Sequence, residues 1–256
     1  GMIMKITVLG CGTSTGVPVI GCKCSICTSK DIKNKRTRSS LFITANGKNI
    51  LIDTSTDLRY QALTHSIERI DAVLFTHHHA DHIHGIDELR SFNMIQKGPI
   101  PCYGSEFTMD RIISMFNYIF TNDGNDSWKP ELKTSLILSQ FELFGLLVQP
   151  INVYHGRMQI FGYRIGGLAY ITDCSSIPED SKKMLDKLDV LILGALRHKP
   201  HPTHLNIHEA VDVGKELKPK RVILTHLSHN LEYAETNKTL PSGFELAYDG
   251  MEIEIG

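Results

Sequence analysis

A short segment near residue 80 contains side chains that can bind metal ions. It directly follows an apolar run and has the pattern His-x-His-x-Asp-His, whose fixed positions are His77, His79, Asp81 and His82. Imidazole and carboxylate ligands together suit borderline divalent ions such as Zn²⁺ and Mn²⁺. The segment therefore predicts a metal centre at the end of a strand.

Further ligands must come from elsewhere in the fold, because two ions need more ligands than these four side chains supply. The best candidates also follow strand-like runs, and they are His155, Asp173 and His226. A sheet holds the side chains at its strand ends in place, while the adjoining loops admit solvent and substrate. We therefore expect ligands from distant segments to converge on one site.

These residues resemble the metallo-β-lactamase superfamily, in which the same motif precedes a lone histidine, a lone aspartate and a C-terminal histidine. The resemblance implies two metal ions and a bridging carboxylate. By this resemblance, the first ion would be bound by His77, His79 and His155. The second would be bound by Asp81, His82 and His226, and Asp173 would bridge the two. It also implies that Asp53 orients the metal loop from behind the ligands. Flavodiiron oxidoreductases of this superfamily have a carboxylate at position 79, so His79 resembles the hydrolytic branch.

Three cysteines are crowded near the N-terminus in the spacing Cys-x-Cys-x-x-Cys, at Cys22, Cys24 and Cys27. Three thiolates can surround one tetrahedral Zn²⁺ but leave one vertex, which a closed structural site fills with a protein ligand. Six cysteines in 256 residues, three of them crowded together, fit metal ligation in a reducing compartment better than a disulfide framework. We therefore expect one structural zinc and a cytoplasmic protein.

The N-terminal part narrows the resemblance to phosphodiesterases of the PhnP type, which hydrolyse phosphoribosyl cyclic phosphate. The similar segments are GCGTSTGVP at 10–18, GCKCSIC at 21–27 and RTRSS at 36–40. Members of that family hold a structural zinc with three cysteines and a late histidine, so the resemblance implies His229 as the fourth ligand. It also implies a metal-dependent hydrolase whose substrate is a small phosphodiester, cyclic or linear.

A dinuclear centre of this kind would deprotonate a bridging water near neutral pH, and the hydroxide would attack phosphorus. A sugar alkoxide is a poor leaving group, so a general acid on the opposite side should contribute. The segment LRHKPHPTHL at 196–205 resembles the substrate-side histidine segment of the family. We predict His204 as the acid, with His201 as the alternative and as a substrate contact, and Asp81 as an essential ligand.

A basic stretch follows the cysteine cluster and includes Arg36 and Arg38. Arginine can bind a phosphate through two parallel hydrogen bonds, so both residues are candidate substrate contacts. The alternative is a solvated basic loop without a ligand.

Strands and helices predicted from hydrophobic periodicity alternate along the chain. Predicted strands lie at 3–9, 40–44, 49–53, 72–76, 146–153, 159–165, 169–172, 190–193, 221–225 and 252–255, and predicted helices at 57–66, 86–94, 106–116, 181–187 and 207–217. The segment 122–125, rich in Asn, Asp and Gly, predicts a turn. Without a break in composition, this order favours one mixed α/β domain over residues 1–256. The superfamily resemblance implies a four-layer αββα sandwich of two mixed sheets flanked by helices.

The numbers of basic and acidic residues limit which binding partners are expected. Basic and acidic residues number 27 and 28, so the totals show neither a nucleic-acid footprint nor a membrane-surface charge. The start of the chain lacks the apolar region of a signal peptide, and no window approaches a membrane span. We expect a small phosphodiester as the partner and no membrane, and we leave a homodimer open.

Three alternative functions remain open. A tRNA 3′-processing nuclease shares the Gly-rich start and the metal motif, but the near-neutral charge and the lack of a long basic insertion argue against nucleic acid. Thioester or lactone hydrolases share the fold, although the cysteine cluster gives them no support. A metal-binding scaffold without activity is the non-enzyme alternative. The active-site ions can be zinc, manganese or iron, because the same ligands accept all three.

Overall fold

A computed structural model describes residues 3–122, 124 and 127–256 of the chain. Residues 123 and 125 of the predicted turn at 122–125 therefore lie outside the described residues. The described part forms two seven-stranded sheets with helices on their outer faces.

The first sheet comes mainly from the N-terminal half. Its strands are β1 (Met4–Gly10), β2 (Ser40–Ala45), β3 (Lys48–Ile52), β4 (Ala72–Leu74), β5 (Ile100–Gly104), β6 (Leu132–Leu136) and the C-terminal β14 (Glu252–Ile255). The spatial order is β14-β1-β2-β3-β4-β5-β6, antiparallel as far as β3 and parallel from β3 to β6. Parallel pairs need crossover connections, which here contain α1 (Leu58–Thr64), α2 (Ala80–Ile83), α3 (Leu89–Gln96), α4 (Glu106–Met115) and α5 (Asn117–Phe120).

The second sheet comes from the C-terminal half. Its strands are β7 (Phe141–Leu143), β8 (Leu146–His155), β9 (Met158–Ile165), β10 (Leu168–Ile171), β11 (Val190–Gly194), β12 (Arg221–Thr225) and β13 (Phe244–Leu246). They lie in the order β13-β12-β11-β10-β9-β8-β7, parallel from β10 to β13 and antiparallel from β7 to β10. The remaining helices are α6 (Glu179–Lys182), α7 (Ile207–Leu217), α8 (Tyr233–Thr239) and two 3₁₀ turns, Ile32–Asn34 and Ile86–Glu88.

Apolar side chains of the central strands point alternately to the two faces of the sheet, so the apolar core has two layers. Ile50 and Ile52 of β3 belong to the large cluster between the sheets, whereas Leu51 belongs to a second cluster beneath the helices of the N-terminal half. Because successive side chains of a strand point to opposite faces, β3 is covered on both sides. The second cluster also includes Leu89 of α3 and Ile112 of α4. The predicted αββα sandwich of two mixed sheets is confirmed.

Helix α7 illustrates how local sequence fixes an element next to the functional region. The Asn206 side chain accepts a hydrogen bond from the Glu209 N–H, and the Glu209 carboxylate accepts one from the Asn206 N–H. This capping box satisfies two donors at the helix start, and left-handed Lys218 ends the helix. Within the described residues, none of the helices is long and apolar enough to span a membrane.

Candidate metal centres

The His-x-His-x-Asp-His segment changes backbone conformation midway. His79 is the extended residue that caps α2, so His77 and His79 precede the helix, whereas Asp81 and His82 lie in its first turn. This change directs the two pairs into different groups of potential ligands. His77 and His79 join His155, while Asp81 and His82 join Asp173 and His226.

The ligands from outside the motif stand at strand ends, as the sequence predicts. His155 is the last residue of β8, Asp173 follows β10, and His226 follows β12. Asp173 and His226 have positive φ values of 58° and 59°, and Asp53 after β3 has 66°. Non-glycine residues rarely adopt this conformation, which costs free energy and is typically held in place at functional sites.

Asp173 connects the two groups. Its Oδ1 lies 3.0 Å from His82 Nε2 and 3.1 Å from His226 Nε2, and its Oδ2 lies 3.6 Å from His77 Nε2. Asp81 Oδ2 lies 3.1 Å from His82 Nε2 and 3.4 Å from His226 Nε2. One carboxylate therefore faces both groups, as a bridging ligand requires.

Two buried nitrogen atoms support metal binding at these groups. Nε2 of His77 and Nε2 of His82 are buried without a hydrogen-bond partner, and both point to neighbouring ligand atoms. A buried polar atom without a partner is costly, and a metal ion would satisfy each nitrogen. The donor set of imidazoles and carboxylates fits two divalent cations.

The charges of the second group also favour cations. Burial opposes a charge on His226, yet the Asp173 and Asp81 carboxylates raise its pKa to about 9. Burial likewise opposes ionisation of Asp173, but His226 and the other adjacent histidines hold its pKa well below the usual range. In the first group, burial lowers the pKa of His79 to about 4. One group thus attracts positive charge and the other offers neutral imidazoles, which are the forms that bind metals.

Hydrogen bonds behind the candidate ligands fix which ring nitrogen would be free to bind an ion. His82 Nδ1–H donates to Asp53 Oδ2 at 2.7 Å, and Asp53 also accepts from the Thr76 N–H at 2.8 Å and the Thr76 hydroxyl at 2.7 Å. His155 Nδ1–H donates to the Thr203 carbonyl at 2.8 Å. Such partners orient metal-binding histidines. Asp53 lies where the sequence predicts, whereas Thr76 and Thr203 were not predicted.

His204 lies beside both ligand groups. Its ring centroid is 4.8 Å from that of His155 and 5.0 Å from that of His226, and the side chain is half-buried. Burial, together with His226, lowers its pKa to about 3. His201 lies one step farther out, 5.1 Å from His204, and its Nδ1 accepts hydrogen bonds from the N–H and hydroxyl of Thr203. Both histidines are therefore at the edge of the site.

A separate group of ligands lies at the N-terminal loop. Nδ1 of His229 lies 3.4 Å from Cys22 Sγ, 3.7 Å from Cys24 Sγ and 3.4 Å from Cys27 Sγ. A tetrahedral zinc with ordinary bond lengths separates its sulfur and nitrogen ligands by about 3.6 Å. A hydrogen bond from the Cys27 N–H lowers the pKa of Cys24 to about 6, which favours the thiolate. The four residues thus have the geometry of a closed structural zinc site.

The two candidate phosphate-binding arginines are engaged within the protein. Arg36 is 1% exposed, and its Nη1 donates to the Ser228 carbonyl at 3.0 Å. This placement corrects the expectation for Arg36, because a buried guanidinium bonded to the backbone beside His229 holds that loop and does not face a substrate. Arg38 Nη1 pairs with Asp57 at 3.2 Å and its side chain is 27% exposed.

Residues 48–227 match the family described as the β-lactamase superfamily domain. Among solved structures, a diphosphatase from the PhnP family has a TM-score of 0.94 and 43% sequence identity, covering 100% of this chain and 98% of that chain. The short form of human tRNase Z has a TM-score of 0.71 at 22% identity, covering 97% of this chain and 98% of that chain. At that identity the likeness shows the fold alone.

A Porphyromonas gingivalis protein named octanoyltransferase is 38% identical over 257 residues, which are 98% of this chain and 52% of that protein. The chain thus spans about half the length of this relative. Coenzyme PQQ synthesis protein B of Methylobacterium radiotolerans is 32% identical over 125 residues, 43% of this chain and 40% of that protein. From the family match and the full-length PhnP-family structure, the chain belongs to the β-lactamase superfamily and is PhnP-like.

Proposed function

We propose that this protein hydrolyses a small phosphodiester, cyclic or linear, or a diphosphate linkage. The observation that carries the proposal is the Asp173 carboxylate, which faces both ligand groups and so suits a pair of ions a few Å apart. Two divalent ions, zinc or manganese with iron as a further option, would activate a water for attack on phosphorus and neutralise charge on the phosphoryl oxygens.

The protein residues would hold and orient the reacting groups. The first ion would be held by His77, His79 and His155 and the second by Asp81, His82 and His226, with Asp173 shared. His204 is the proposed general acid, because its ring lies at the edge of the site, 4.8 Å from that of His155 and 5.0 Å from that of His226. Burial and His226 disfavour its charged form, and an anionic phosphate beside it would favour that form. His201 is the alternative acid and a candidate substrate contact.

The PhnP-family relative is described as a diphosphatase, so a diphosphate linkage stands beside the phosphodiester expected from the sequence. The name octanoyltransferase belongs to a protein of which this chain matches about half. Acyl transfer commonly uses a nucleophile such as an accessible thiolate. Next to the metal groups, Cys174 is 1% exposed, and burial raises its pKa to about 12. We therefore favour phosphoryl over acyl chemistry for this part.

The test is hydrolysis of bis-p-nitrophenyl phosphate by the metal-loaded protein and by Asp81→Ala and His226→Ala. We expect both variants to lose nearly all activity, while His84→Ala, a change of an exposed histidine in the same segment, keeps it. Full activity in the two ligand variants would overturn the dinuclear proposal. A panel of phosphoribosyl cyclic phosphate, 2′,3′-cyclic nucleotides, linear diesters and dinucleoside diphosphates then identifies the bond that is cleaved.

A further inference from the structure

A cavity of about 440 Å³ adjoins the metal-binding segment and is not used by the chemistry described above. Its walls are Ser105, Phe107 and the first part of β9, residues 158–161. The Phe107 ring centroid lies 5.3 Å from that of His78, which stands inside the His-x-His-x-Asp-His motif. The volume is within the range of small-ligand sites.

Two backbone connections join this cavity to the metal ligands. Met158 is the register partner of His155 across the β8–β9 hairpin. Phe161 N–H donates to the Thr76 carbonyl at 3.1 Å, one residue before His77. A chemical group held in the cavity would therefore lie beside the segments that carry His77 and His155.

The cavity is bordered by an edge of β9 with outward-facing backbone groups. Because Phe161 N–H points away from β8 to Thr76, the N–H and C=O of Gln159, two residues earlier, point to the same side. Tyr154 is the register partner of Gln159, and its backbone groups also point out of the hairpin. Its N–H donates to the Ser176 carbonyl, and its carbonyl accepts from the Ser175 N–H. On that side β10 pairs with residues 163–165 of β9, beyond Gln159.

The side chains of the cavity suit a flat ring with a polar edge. Phe107 is 48% exposed, and Ile160 and Phe161 are buried apolar residues of the opposite wall segment. The Ser105 hydroxyl and the exposed amide of Gln159 add polar atoms at the rim. Arg111, whose guanidinium carbon lies 5.1 Å from the Phe107 ring centroid, adds positive charge beside the cavity.

We propose that this cavity binds the nucleobase of a nucleoside-containing substrate. The base stacks on Phe107, and adjacent acceptor and donor atoms on its edge pair with the N–H and C=O of Gln159. An acyl chain would fill the apolar part but would form no hydrogen bonds with that peptide group, so it would gain less from the site than a base. The proposal rests on the proposed function, because the phosphate attached to the nucleoside would lie at the metal ions.

The kinetic test compares two p-nitrophenyl diesters, one of adenosine 5′-phosphate and one of methyl phosphate. Stacking of a base on an aromatic side chain is lost on truncation to alanine, so Phe107→Ala should raise KM for the adenosine diester about tenfold. It should leave kcat for that diester and both constants for the methyl diester unchanged, and Phe107→Tyr should restore KM. Met115→Ala, at a residue of α4 that is 46% exposed, is the matched control and should change nothing. Equal effects of Phe107→Ala on both diesters, or no effect on either, would overturn the base site.

Calorimetric titration with AMP and with ribose 5-phosphate separates this inference from the proposed function. We expect AMP to bind about tenfold more tightly, and Phe107→Ala to abolish the difference. Hydrolysis of the methyl diester without any preference for AMP would overturn the base site and leave the phosphodiesterase standing. Preferential AMP binding that depends on Phe107, with neither diester hydrolysed, would overturn the phosphodiesterase and leave the base site standing.

Discussion

The two candidate metal centres are built in different ways. The candidate ligands of the dinuclear centre stand after strand ends of both sheets or in the first turn of α2, almost all of them are buried, and several have hydrogen-bond partners of their own behind them. The Cys22, Cys24, Cys27 and His229 site joins two loops, and three of its four ligands are half-buried. The fold holds the ligands of the first centre in place, whereas the loops of the second would depend more strongly on a bound ion. Loss of metal should therefore affect function at the first and stability at the second.

Removal of the bridging carboxylate should have the largest effect. Asp173→Ala takes a ligand from both ions, and because loss of an indirect partner alone typically costs 10–100-fold, we expect hydrolysis to fall by more than about 100-fold. The fold should remain, since the strands of both sheets are untouched. Steady-state kinetics with circular dichroism measures both, and Asp180→Ala, an exposed aspartate of α6, is the control. Retention of more than a tenth of the activity would contradict the bridging role.

Loss of the zinc site should instead lower stability. Cys24→Ser removes one thiolate, and because structural zinc contributes directly to folding, we expect the thermal midpoint to fall by about 5–10 °C. Activity of the remaining folded protein should decrease much less than in Asp173→Ala. Differential scanning calorimetry checks the shift against Ser25→Ala, an exposed neighbour in the same loop. An unchanged midpoint would mean that the loops do not depend on the ion.

Loss of the orienting carboxylate of Asp53 should reduce function by an intermediate amount without lowering stability. Asp53→Asn weakens the hydrogen bond that fixes His82, so metal affinity or activity should fall about 10–100-fold. Metal titration of the apoprotein measures the change, with Asp57→Asn on the following connection as the control. Wild-type affinity in Asp53→Asn would show that the strained residue after β3 has no part in the centre.

The smallest effect is expected at Arg38. Its ion pair with Asp57 is partly exposed, and pairs of this kind contribute less than about 1 kcal/mol. Arg38→Ala should therefore leave the thermal midpoint and KM nearly unchanged. A rise of KM above about tenfold would instead establish the phosphate contact predicted from the sequence.

Sequence patterns predicted the parts of the fold that carry strong local signals. The predicted helix at 207–217 coincides with α7, because a capping box and an amphipathic pattern mark it. Strands β5 and β6 were not predicted, since IPCYG contains a proline and LKTSL is a largely polar edge strand. The predicted helix at 181–187 is wrong: α6 covers Glu179–Lys182, and left-handed Lys187 ends the segment.

The candidate site was predictable as far as its ligands stand in motifs or at strand ends. The partner of His155 could not be predicted, because it is the backbone carbonyl of Thr203, 48 residues away, and any residue has such a carbonyl. Arg36 looked like a phosphate ligand because charge patterns do not report burial. Its segment instead packs closely against the glycine-rich loop and Ser228, which gives Arg36 a structural role.

Metal content per chain tests most directly the claim of two independent centres. Elemental analysis of the purified protein should give about three metal ions per chain, falling to about one in Asp173→Ala and to about two in Cys24→Ser. A single ion per chain in the unmodified protein, or the same loss in both variants, would contradict the account.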